Sequence, residues 1–393
     1  METTYLMNIV LFDDKEWENL RPLTLNKPVS ELRMGILTFK ERWEKLIEGN
    51  YSYFTQDYLS EKFELNVSDE NLFINPSFFP NENLLSSIRD LKKSESIWFE
   101  NQMIAGNFSL EEFEARNQSN QKIDLKEEVT YINHLWDLFT YNDKAIQFDF
   151  ELITKGRKSQ PVSSTNGVIN PENIFLEEGA VVEFAVLNAK EGPIYVGKNA
   201  EIMEGSLVRG SLALCENAKL NLGAKIYPGT TIGPYCKVGG EVNNSILMGY
   251  SNKGHDGFLG NSILGEWCNL GADTNNSNLK NNYSEIKVWD YESKDYIDTR
   301  LQFCGLMMGD YAKSAINTQF NTGTVVGISA NVFDAGFPPK FIPSFSWGGG
   351  KNSAKFDLEK SYEAAEKMME RRKKILTEKD KRIIEYIFQL TEY

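Results

Sequence analysis

The stretch Val196–Val242 reads VGKNAEIMEGSLVRGSLALCENAKLNLGAKIYPGTTIGPYCKVGGEV and carries an aliphatic residue at every sixth position. These eight positions, called here the aliphatic lane, are Val196, Ile202, Val208, Leu214, Leu220, Ile226, Ile232 and Val238. A second lane, four residues further on, is mostly small: Ala200, Ser206, Leu212, Ala218, Ala224, Thr230, Cys236 and Val242. A period of six fits neither an α-helix nor an amphipathic strand, but it is typical of short strands joined by tight corners. We therefore predict a hexapeptide parallel β-helix, with three hexads per coil and coils stacked about 4.8 Å apart.

The period continues imperfectly on both sides, and we predict the β-helix over residues 170–345. Two segments interrupt it, Asn243–Phe258 and Asn275–Phe303, and both are rich in polar residues. Insertions in a solenoid form loops, and such loops often carry binding or catalytic residues. We therefore expect the functional residues to lie in these two interruptions.

Residues 1–155 lack the six-residue period and are predicted to form an α/β domain. Tyr5–Phe12 has the composition of a buried strand, and the apolar spacing around residues 30–47 and 128–152 favours helices. Residues 156–169 are polar and contain turn-forming residues, which indicates a linker.

The tail, residues 353–393, is rich in Glu, Lys, Ala and Met and predicts two helical segments. Thr377 is placed to cap the second of these helices. The last coil of an open β-helix exposes backbone groups, which favours a covering element. We interpret the tail as such a cap or as a contact between subunits.

Composition limits the classes of function. The chain has 393 residues and a net charge of −14, and without a basic stripe it is not expected to bind nucleic acid. Its four cysteines show no metal-ligand spacing and indicate small packing residues in a reducing compartment. With no signal peptide and no run of eighteen apolar residues, the sequence predicts a cytoplasmic protein that does not interact with membranes.

His255 stands out among the polar residues of the first interruption. It lies in SNKGHDGFLG (251–260), where packing of the repeat gives no reason for an imidazole. Histidine is the side chain most easily poised as a general base near neutral pH. From its position alone, a solvated loop histidine is an equally good interpretation.

The segment Lys253–Leu279, KGHDGFLGNSILGEWCNLGADTNNSNL, resembles the acetyltransferase half of the bifunctional enzymes that make UDP-N-acetylglucosamine. Those enzymes are left-handed β-helix trimers that acetylate glucosamine 1-phosphate and then uridylylate the product. The matching positions are Lys253, His255, Gly260, Gly265, Asn269, Gly271, Ala272, Thr274 and Asn278. The resemblance implies a left-handed β-helix and a homotrimer.

The same resemblance implies roles for individual residues. His255 would take a proton from the sugar amine, and the backbone at Gly271 and Ala272 would bind the thioester of the substrate acetyl-CoA, supplying an N–H to the oxyanion. The substrate-binding positions would be Lys253, Phe258, Asn269 and Asn278. This chain departs from the family at Phe258, where the family has Tyr, and at Asn243, where a sugar-binding Lys is expected. The acyl-transfer residues are therefore better supported than the identity of the acceptor.

Phe12–Leu37, FDDKEWENLRPLTLNKPVSELRMGIL, resembles the opening of sugar-phosphate nucleotidyltransferases, although Asp13 and Asp14 replace the usual glycine-rich loop. Over its whole length the chain is similar to a bacteroidete-type branch of bifunctional UDP-N-acetylglucosamine pyrophosphorylase/glucosamine-1-phosphate N-acetyltransferases. The resemblance implies that Arg21, Lys27 and Arg33 bind nucleotide phosphates and that Asp13 and Asp14 hold Mg²⁺, which prefers oxygen ligands. The alternative is that these are surface charges of a domain that binds no nucleotide.

Three interpretations of function remain open. The first is a sugar-nucleotide enzyme that N-acetylates an amino sugar phosphate and transfers a nucleotidyl group from a nucleoside triphosphate to a sugar 1-phosphate. The second retains one of these two activities. The third is a non-catalytic β-helix scaffold. Intact His255 and Asn269 disfavour the scaffold, and the missing glycine-rich loop disfavours the full bifunctional enzyme.

Overall fold

The structure is a computed structural model and describes residues 6–115, 121–350 and 353–391. The chain forms two compact units: residues 1–20, 26–32 and 37–134 make the first, and residues 21–25, 33–36 and 135–393 the second. The domain boundary expected at residue 155 therefore falls inside the second unit. Tyr5, the first residue of the expected strand, and the last two residues of the tail lie outside the described residues.

The first unit is built on a six-stranded sheet in the order β2-β1-β3-β5-β4-β6. Its strands are β1 (Asn8–Phe12), β2 (Asn50–Phe54), β3 (Asn71–Ile74), β4 (Ser96–Phe99), β5 (Gln102–Phe108) and β6 (Lys122–Asp124). Strand β1 is parallel to both β2 and β3, whereas β5 is antiparallel to β3 and β4. The carboxyl ends of β1, β2 and β3 therefore meet at one edge of the sheet.

Helices pack around this sheet over a core that includes Ile9, Trp43 and Phe73. They are α1 (Glu16–Asn19), α2 (Phe39–Leu46), α3 (Glu82–Arg89) and α4 (Leu110–Glu114), with 3-10 turns at Val29–Glu31 and Asp57–Leu59. The helix expected around residues 30–47 begins only at Phe39, because Thr38 forms a capping box with Glu41. Gly35, in the preceding stretch, has a positive φ of 85°, which an α-helix does not accommodate.

The second unit contains helices α5 (Leu135–Thr140) and α6 (Asn142–Thr154) and then the repeat. In chain order the remaining strands are β7 (Gly167–Ile169), β8 (Ile174–Leu176), β9 (Val181–Val182), β10 (Val186–Asn188), β11 (Ile194–Val196), β12 (Glu201–Ile202), β13 (Leu207–Arg209), β14 (Leu212–Leu214), β15 (Lys219–Leu220), β16 (Lys225–Ile226), β17 (Thr230–Ile232), β18 (Lys237–Val238), β19 (Glu241–Asn243), β20 (Ile246–Gly249), β21 (Asn252–Lys253), β22 (Phe258–Gly260), β23 (Ile263–Glu266), β24 (Asn269–Leu270), β25 (Asn275–Asn276), β26 (Lys287–Asp290), β27 (Asp295–Asp298), β28 (Leu306–Met308), β29 (Lys313–Ser314), β30 (Gln319–Phe320), β31 (Thr324–Val326), β32 (Asn331–Val332), β33 (Phe341–Ile342), β34 (Ser346–Gly348) and β35 (Ala354–Lys355). A short 3-10 turn, Pro171–Asn173, precedes β8.

These strands form a left-handed parallel β-helix of about ten coils. Its three faces are sheets of six, nine and ten strands, and within these sheets the strands of neighbouring coils pair in parallel, apart from β34 and β35, which pair antiparallel. All eight residues of the aliphatic lane point inward and are at most 2% exposed, which confirms the predicted register. The core is continuous along the coils because each face contributes one aliphatic side chain per coil.

The two interruptions have different structures. Asn243–Phe258 is not a loop outside the solenoid: it supplies β20 and β21, which pair with both neighbouring coils. The period is lost there because corners are shorter, so that inward-pointing Val238 and Val242 are only four residues apart. Val242 is thus a core strand residue rather than a small corner residue. Asn275–Phe303 begins with β25, which pairs in parallel with β30 of the next coil, and the rest of it is a true insertion that contains the antiparallel hairpin of β26 and β27.

The tail forms two helices, α7 (Leu358–Glu370) and α8 (Glu378–Leu390), as predicted. Thr377 caps α8 through a capping box with Asp380. Phe345 of the last coils contacts Phe388 of α8 edge to face, with ring centroids 5.1 Å apart. No helix in the described part of the chain is both long and apolar enough to cross a membrane.

Candidate functional site

One face of the β-helix carries a column of polar side chains pointing outward. Strand register aligns Lys237 with Asn252, Asn252 with Asn269 and Asn269 with Lys313 on successive coils. Adjacent members are separated by about one strand spacing of 4.8 Å. These four residues, called here the outer column, form the floor of a groove of about 710 Å³.

Helix α7 provides the other wall of this groove. Met368 lies in its last turn, Arg371 and Arg372 follow its end, and all three line the cavity. Arg372 Nη2 lies 3.4 Å from the Tyr235 carbonyl oxygen, which ties this end of the tail to the β-helix. The tail is therefore part of the groove and not solely a cap on the last coil.

His255 lies at the corner that follows β21, and its side chain is exposed along the groove. Three hydrogen bonds hold the backbone around it. Asn221 Nδ2 donates to the Gly254 carbonyl at 2.8 Å, Lys253 Nζ donates to the His255 carbonyl at 2.8 Å, and the Asp273 N–H donates to the Asp256 carbonyl at 3.1 Å. The imidazole is thus presented to the groove from an ordered corner.

Asn269, Gly271 and Ala272 line the same groove as His255. The Gly271 N–H donates to the Ser314 carbonyl at 3.0 Å across the coil pair, so this amide is already engaged. Gly271 is required by the close approach of the next coil, because a Cβ there would lie 2.4 Å from the Ala315 carbonyl carbon. Four of the residues singled out from the sequence are therefore brought together.

Lys253, Phe258 and Asn278 are placed differently. The Lys253 side chain is only 2% exposed and lies inside the β-helix. Phe258 and Asn278 both approach Gly260, where a Cβ would lie 2.5 Å from Cζ of Phe258 and 2.8 Å from Nδ2 of Asn278. Asn278 Nδ2 also donates to Asn261 Oδ1 at 2.8 Å. None of these three is among the residues that line the groove.

A ladder of aromatic rings occupies the corner on the other side of the outer column. Tyr235 stacks on Tyr250 and Tyr250 on Trp267, with centroid distances of 5.0 and 4.2 Å and nearly parallel planes. All three have positive φ, between 54° and 62°, a conformation that bulky residues rarely adopt. Asn199 and Asn217 occupy the same corner in earlier coils, where asparagine adopts a positive φ with little strain. Strain of this kind concentrates at functional sites, and Tyr250 and Trp267 line the groove.

The groove is cationic, which the sequence reasoning missed. Lys237, Lys313, Arg371 and Arg372 all line it, and burial lowers the pKa of Lys313. Burial and then the nearby Arg372 lower the pKa of Lys237. The sequence does hold a signal for the two lysines, since each directly precedes an inward-pointing residue of the repeat and must therefore point outward.

In the first unit, acidic residues gather where β1 ends. Asp13 accepts hydrogen bonds from the Val29 N–H at 3.0 Å and the Thr55 hydroxyl at 2.6 Å, while burial raises its pKa to about 8. Burial also raises the pKa of Glu16 to about 7. Asp14 accepts the Lys15 N–H. Among the described residues, no group of three or more His, Cys, Asp or Glu side chains is placed to hold a metal ion.

The three cationic residues proposed for nucleotide phosphates have different surroundings. Lys27 is buried in the first unit. Arg21 and Arg33 belong to the second unit, where the Arg21 guanidinium lies 5.5 Å from the centroid of the Tyr291 ring. Arg33 is buried and donates to the Ile36 carbonyl. Each arginine thus has protein partners of its own.

These features define a chain with an α/β unit, a β-helix with a cationic groove, and a helical tail that contributes to the groove. Residues 9–158 match the family described as sugar nucleotidyl transferase, which supports a transferase related to sugar nucleotides. The match covers less than half of the chain. No curated protein matches.

Three similar solved structures are named as an acyltransferase, an acetyltransferase and a hexapeptide transferase, and each superposes poorly on this chain. UDP-N-acetylglucosamine acyltransferase from Campylobacter jejuni is 13% identical, with 59% of this chain and 97% of that chain covered and a TM-score of 0.22. An acetyltransferase-like protein from Bacillus cereus is 10% identical, with coverages of 57% and 91% and a TM-score of 0.19. A hexapeptide transferase family protein from Anaplasma phagocytophilum is 14% identical, with coverages of 57% and 90% and a TM-score of 0.16. At such TM-scores the fold assignment depends on the strand pairing described above.

Proposed function

We propose that the groove transfers an acetyl group from acetyl-CoA to the amine of an amino sugar or amino sugar phosphate, with His255 as the general base. The observation that carries this proposal is that His255 shares one groove with Asn269, Ala272 and the four cations. A solvated loop histidine has no reason to be held in an ordered corner beside such a groove. The non-catalytic scaffold is disfavoured for the same reason.

In the proposed reaction the imidazole of His255 removes a proton from the amine as its nitrogen attacks the thioester carbonyl. The carbon–nitrogen bond forms, the carbon–sulfur bond breaks, and the imidazolium returns its proton to the leaving thiolate. We assign the Ala272 N–H to the developing oxyanion, since the Gly271 N–H is already donated to Ser314. Asn269, exposed on the floor of the groove, is assigned to the acceptor sugar.

The cations and the aromatic ladder support coenzyme A as the donor. Arg371 and Arg372 carry guanidinium groups, which bind phosphates well, and Lys237 adds a third charge on the floor of the groove. Tyr250 and Trp267 line the groove beside these cations and offer apolar ring edges to a ligand, because Tyr250 is stacked on both of its faces.

A homotrimer remains part of this proposal. Exposed apolar residues form a patch on the face that contains β10 and β13: Phe184 is 64% exposed, Val186 44%, Leu207 50% and Leu222 69%. Val186 and Leu207 are register partners, so the patch is continuous across coils. Burial of these side chains between copies is the stabilisation we expect. Light scattering tests it, and a monomer at micromolar concentration would exclude it.

Transfer of a nucleotidyl group by the N-terminal part is a second candidate function, and the family match over residues 9–158 favours it. Ligands of open α/β sheets bind beyond the carboxyl ends of the strands, where Asp13 and Asp14 follow β1. Asp13 fits Mg²⁺ poorly, because both of its oxygens accept hydrogen bonds and its pKa is raised. Mg²⁺ held by Asp14 together with nucleotide phosphates stays a prediction, as does phosphate binding by Arg21, Lys27 and Arg33.

The deciding experiment measures free thiol released from acetyl-CoA with a panel of amino sugars and their 1-phosphates. His255→Gln should lower kcat by about 10²–10⁴, the usual contribution of a general base. The matched control is His134→Gln, a change at the other histidine of the chain, which lies in the first unit. No thiol release with any acceptor, together with no detectable binding of acetyl-CoA, would exclude the proposal. Pyrophosphate release from UTP or dTTP with sugar 1-phosphates tests the second candidate.

A further inference from the structure

A lysine occupies an aliphatic position in the core of the β-helix. Strand register aligns Lys253 with Val238, and Val238 with Leu220, on successive coils. Leu220 and Val238 are fully buried members of the aliphatic core, and Leu270 is the inward-pointing residue of the following coil. Lys253 therefore projects into the interior of the solenoid, where it is 2% exposed.

The ammonium group reaches from this core position to the corner that carries His255. Nζ donates to the Gly239 carbonyl and the His255 carbonyl, each at 2.8 Å. Gly240 leaves space for it, because a Cβ at that residue would lie 2.9 Å from Nζ. Lys253 thus links two successive corners, one of which presents the imidazole.

Folding alone does not account for a lysine at this position. Burial of an ammonium is unfavourable, whereas an aliphatic residue would continue the core of the neighbouring coils. The hydrogen bonds of Nζ go to backbone carbonyls of the His255 corner and its neighbour. What the lysine adds is therefore order at this corner, to which the bond from Asn221, two coils earlier, to the Gly254 carbonyl also contributes.

We propose that Lys253 is a positioning residue, which fixes the backbone of His255 so that its imidazole faces the groove at the distance that proton transfer requires. This inference rests on the proposed acyl transfer. It departs from the role in substrate binding expected from the sequence, since the side chain is inside the β-helix. A base held in place loses little entropy on reaching the transition state, and misplacement by about 1 Å lowers the rate about 10²-fold.

The test compares Lys253→Met with Lys198→Met, in which an exposed lysine of the same β-helix receives the same substitution. For Lys253→Met we expect kcat to fall about 10- to 100-fold, with KM for acetyl-CoA within about twofold of the wild type. Hydrogen exchange of the backbone amides of residues 254–257 should accelerate in this variant and remain unchanged in the control. A purely structural role would not produce a fall in kcat at unchanged KM.

Asn221→Ala provides a second variant, should Lys253→Met fail to fold. It removes the bond to the Gly254 carbonyl and should also accelerate exchange at residues 254–257. Unchanged exchange in every folded variant would overturn the inference, as would accelerated exchange at unchanged kcat. If the wild type releases no thiol, the proposed function fails, whereas the exchange measurement still decides whether Lys253 and Asn221 order this corner.

Discussion

Replacing Lys253 by methionine should change how the stability of the β-helix depends on pH. Burial lowers the pKa of Lys253 from 10.5 to about 8, although Asp256 and Asp273 favour the charged form. Between pH 8 and pH 10.5 the unfolded chain retains the lysine proton that the native protein has released. The unfolded state binds more protons in this window, so this residue raises the free energy of unfolding as the pH rises.

The size of the effect follows from the shift. Each pKa unit corresponds to about 1.4 kcal/mol, so Lys253 costs about 3 kcal/mol below pH 8, and this cost disappears by about pH 10.5. Lys253→Met removes the ionisable group. The free energy of unfolding of the variant, relative to that of the wild type, should therefore be highest at pH 7.5 and about 3 kcal/mol lower at pH 10.5.

Urea denaturation followed by tryptophan fluorescence, at several pH values between 7.5 and 10.5, measures this difference. Buried thiols act in the opposite direction, since burial raises the pKa of Cys236 to about 12, but they do so equally in both proteins. Lys198→Met should parallel the wild type at every pH. A constant difference between Lys253→Met and the wild type across this range would refute the assignment of a buried ammonium.

Two further predictions concern the ends of the chain. Arg371→Met combined with Arg372→Met should raise KM for acetyl-CoA about tenfold at low ionic strength and less at high salt, with kcat unchanged, because two phosphate partners are lost. The control is Lys373→Met, a change at an exposed neighbour outside the groove. An unaltered KM in the double variant would contradict the assignment. In the wild type, the raised pKa of Asp13 keeps a proton on the native carboxyl that the unfolded chain releases, so the free energy of unfolding falls between pH 4 and pH 8. This fall is about 3 kcal/mol, half of the full shift because the side chain is partly exposed, and Asp13→Asn should abolish it. Thermal denaturation at both pH values measures it, and parallel curves for the two proteins would disprove it.

The period of six was sufficient to predict the β-helix and its core. Each aliphatic residue of the lane had to point inward if three strands form a coil, and residues such as Val208 and Ile226 are buried as this requires. Short-range rules likewise predicted the cap at Thr377, because a capping box depends only on residues three apart. His255, Asn269, Gly271 and Ala272, which the resemblance of one segment singled out, line one groove, and their roles there stay predictions.

What the sequence did not reveal depends on contacts between distant residues. Arg371 and Arg372 reach the groove because α7 lies beside coils that precede it by more than a hundred residues, and no local pattern encodes that contact. The sequence pattern did not predict that Lys253 lies in the core, and the reason is related. The shortened corner between Val238 and Val242 shifts the period, so that a count of six from Val238 no longer identifies the inward position.

The irregular coil and the candidate site coincide for a physical reason. A perfect hexapeptide coil directs an aliphatic side chain inward from each face, which favours stability. Its corners are then equivalent, so that none of them is suited to a particular function. Here the tight corner at Gly240, on the preceding coil, packs against the corner of His255, and the lysine at an aliphatic position and the strained backbone of Tyr250 lie on the coil of His255 itself. Each lowers the stability of the coil when considered alone. Together they order one corner and place an imidazole on it, beside a groove whose cations suit a phosphorylated ligand, which is why we locate function at the break in the repeat.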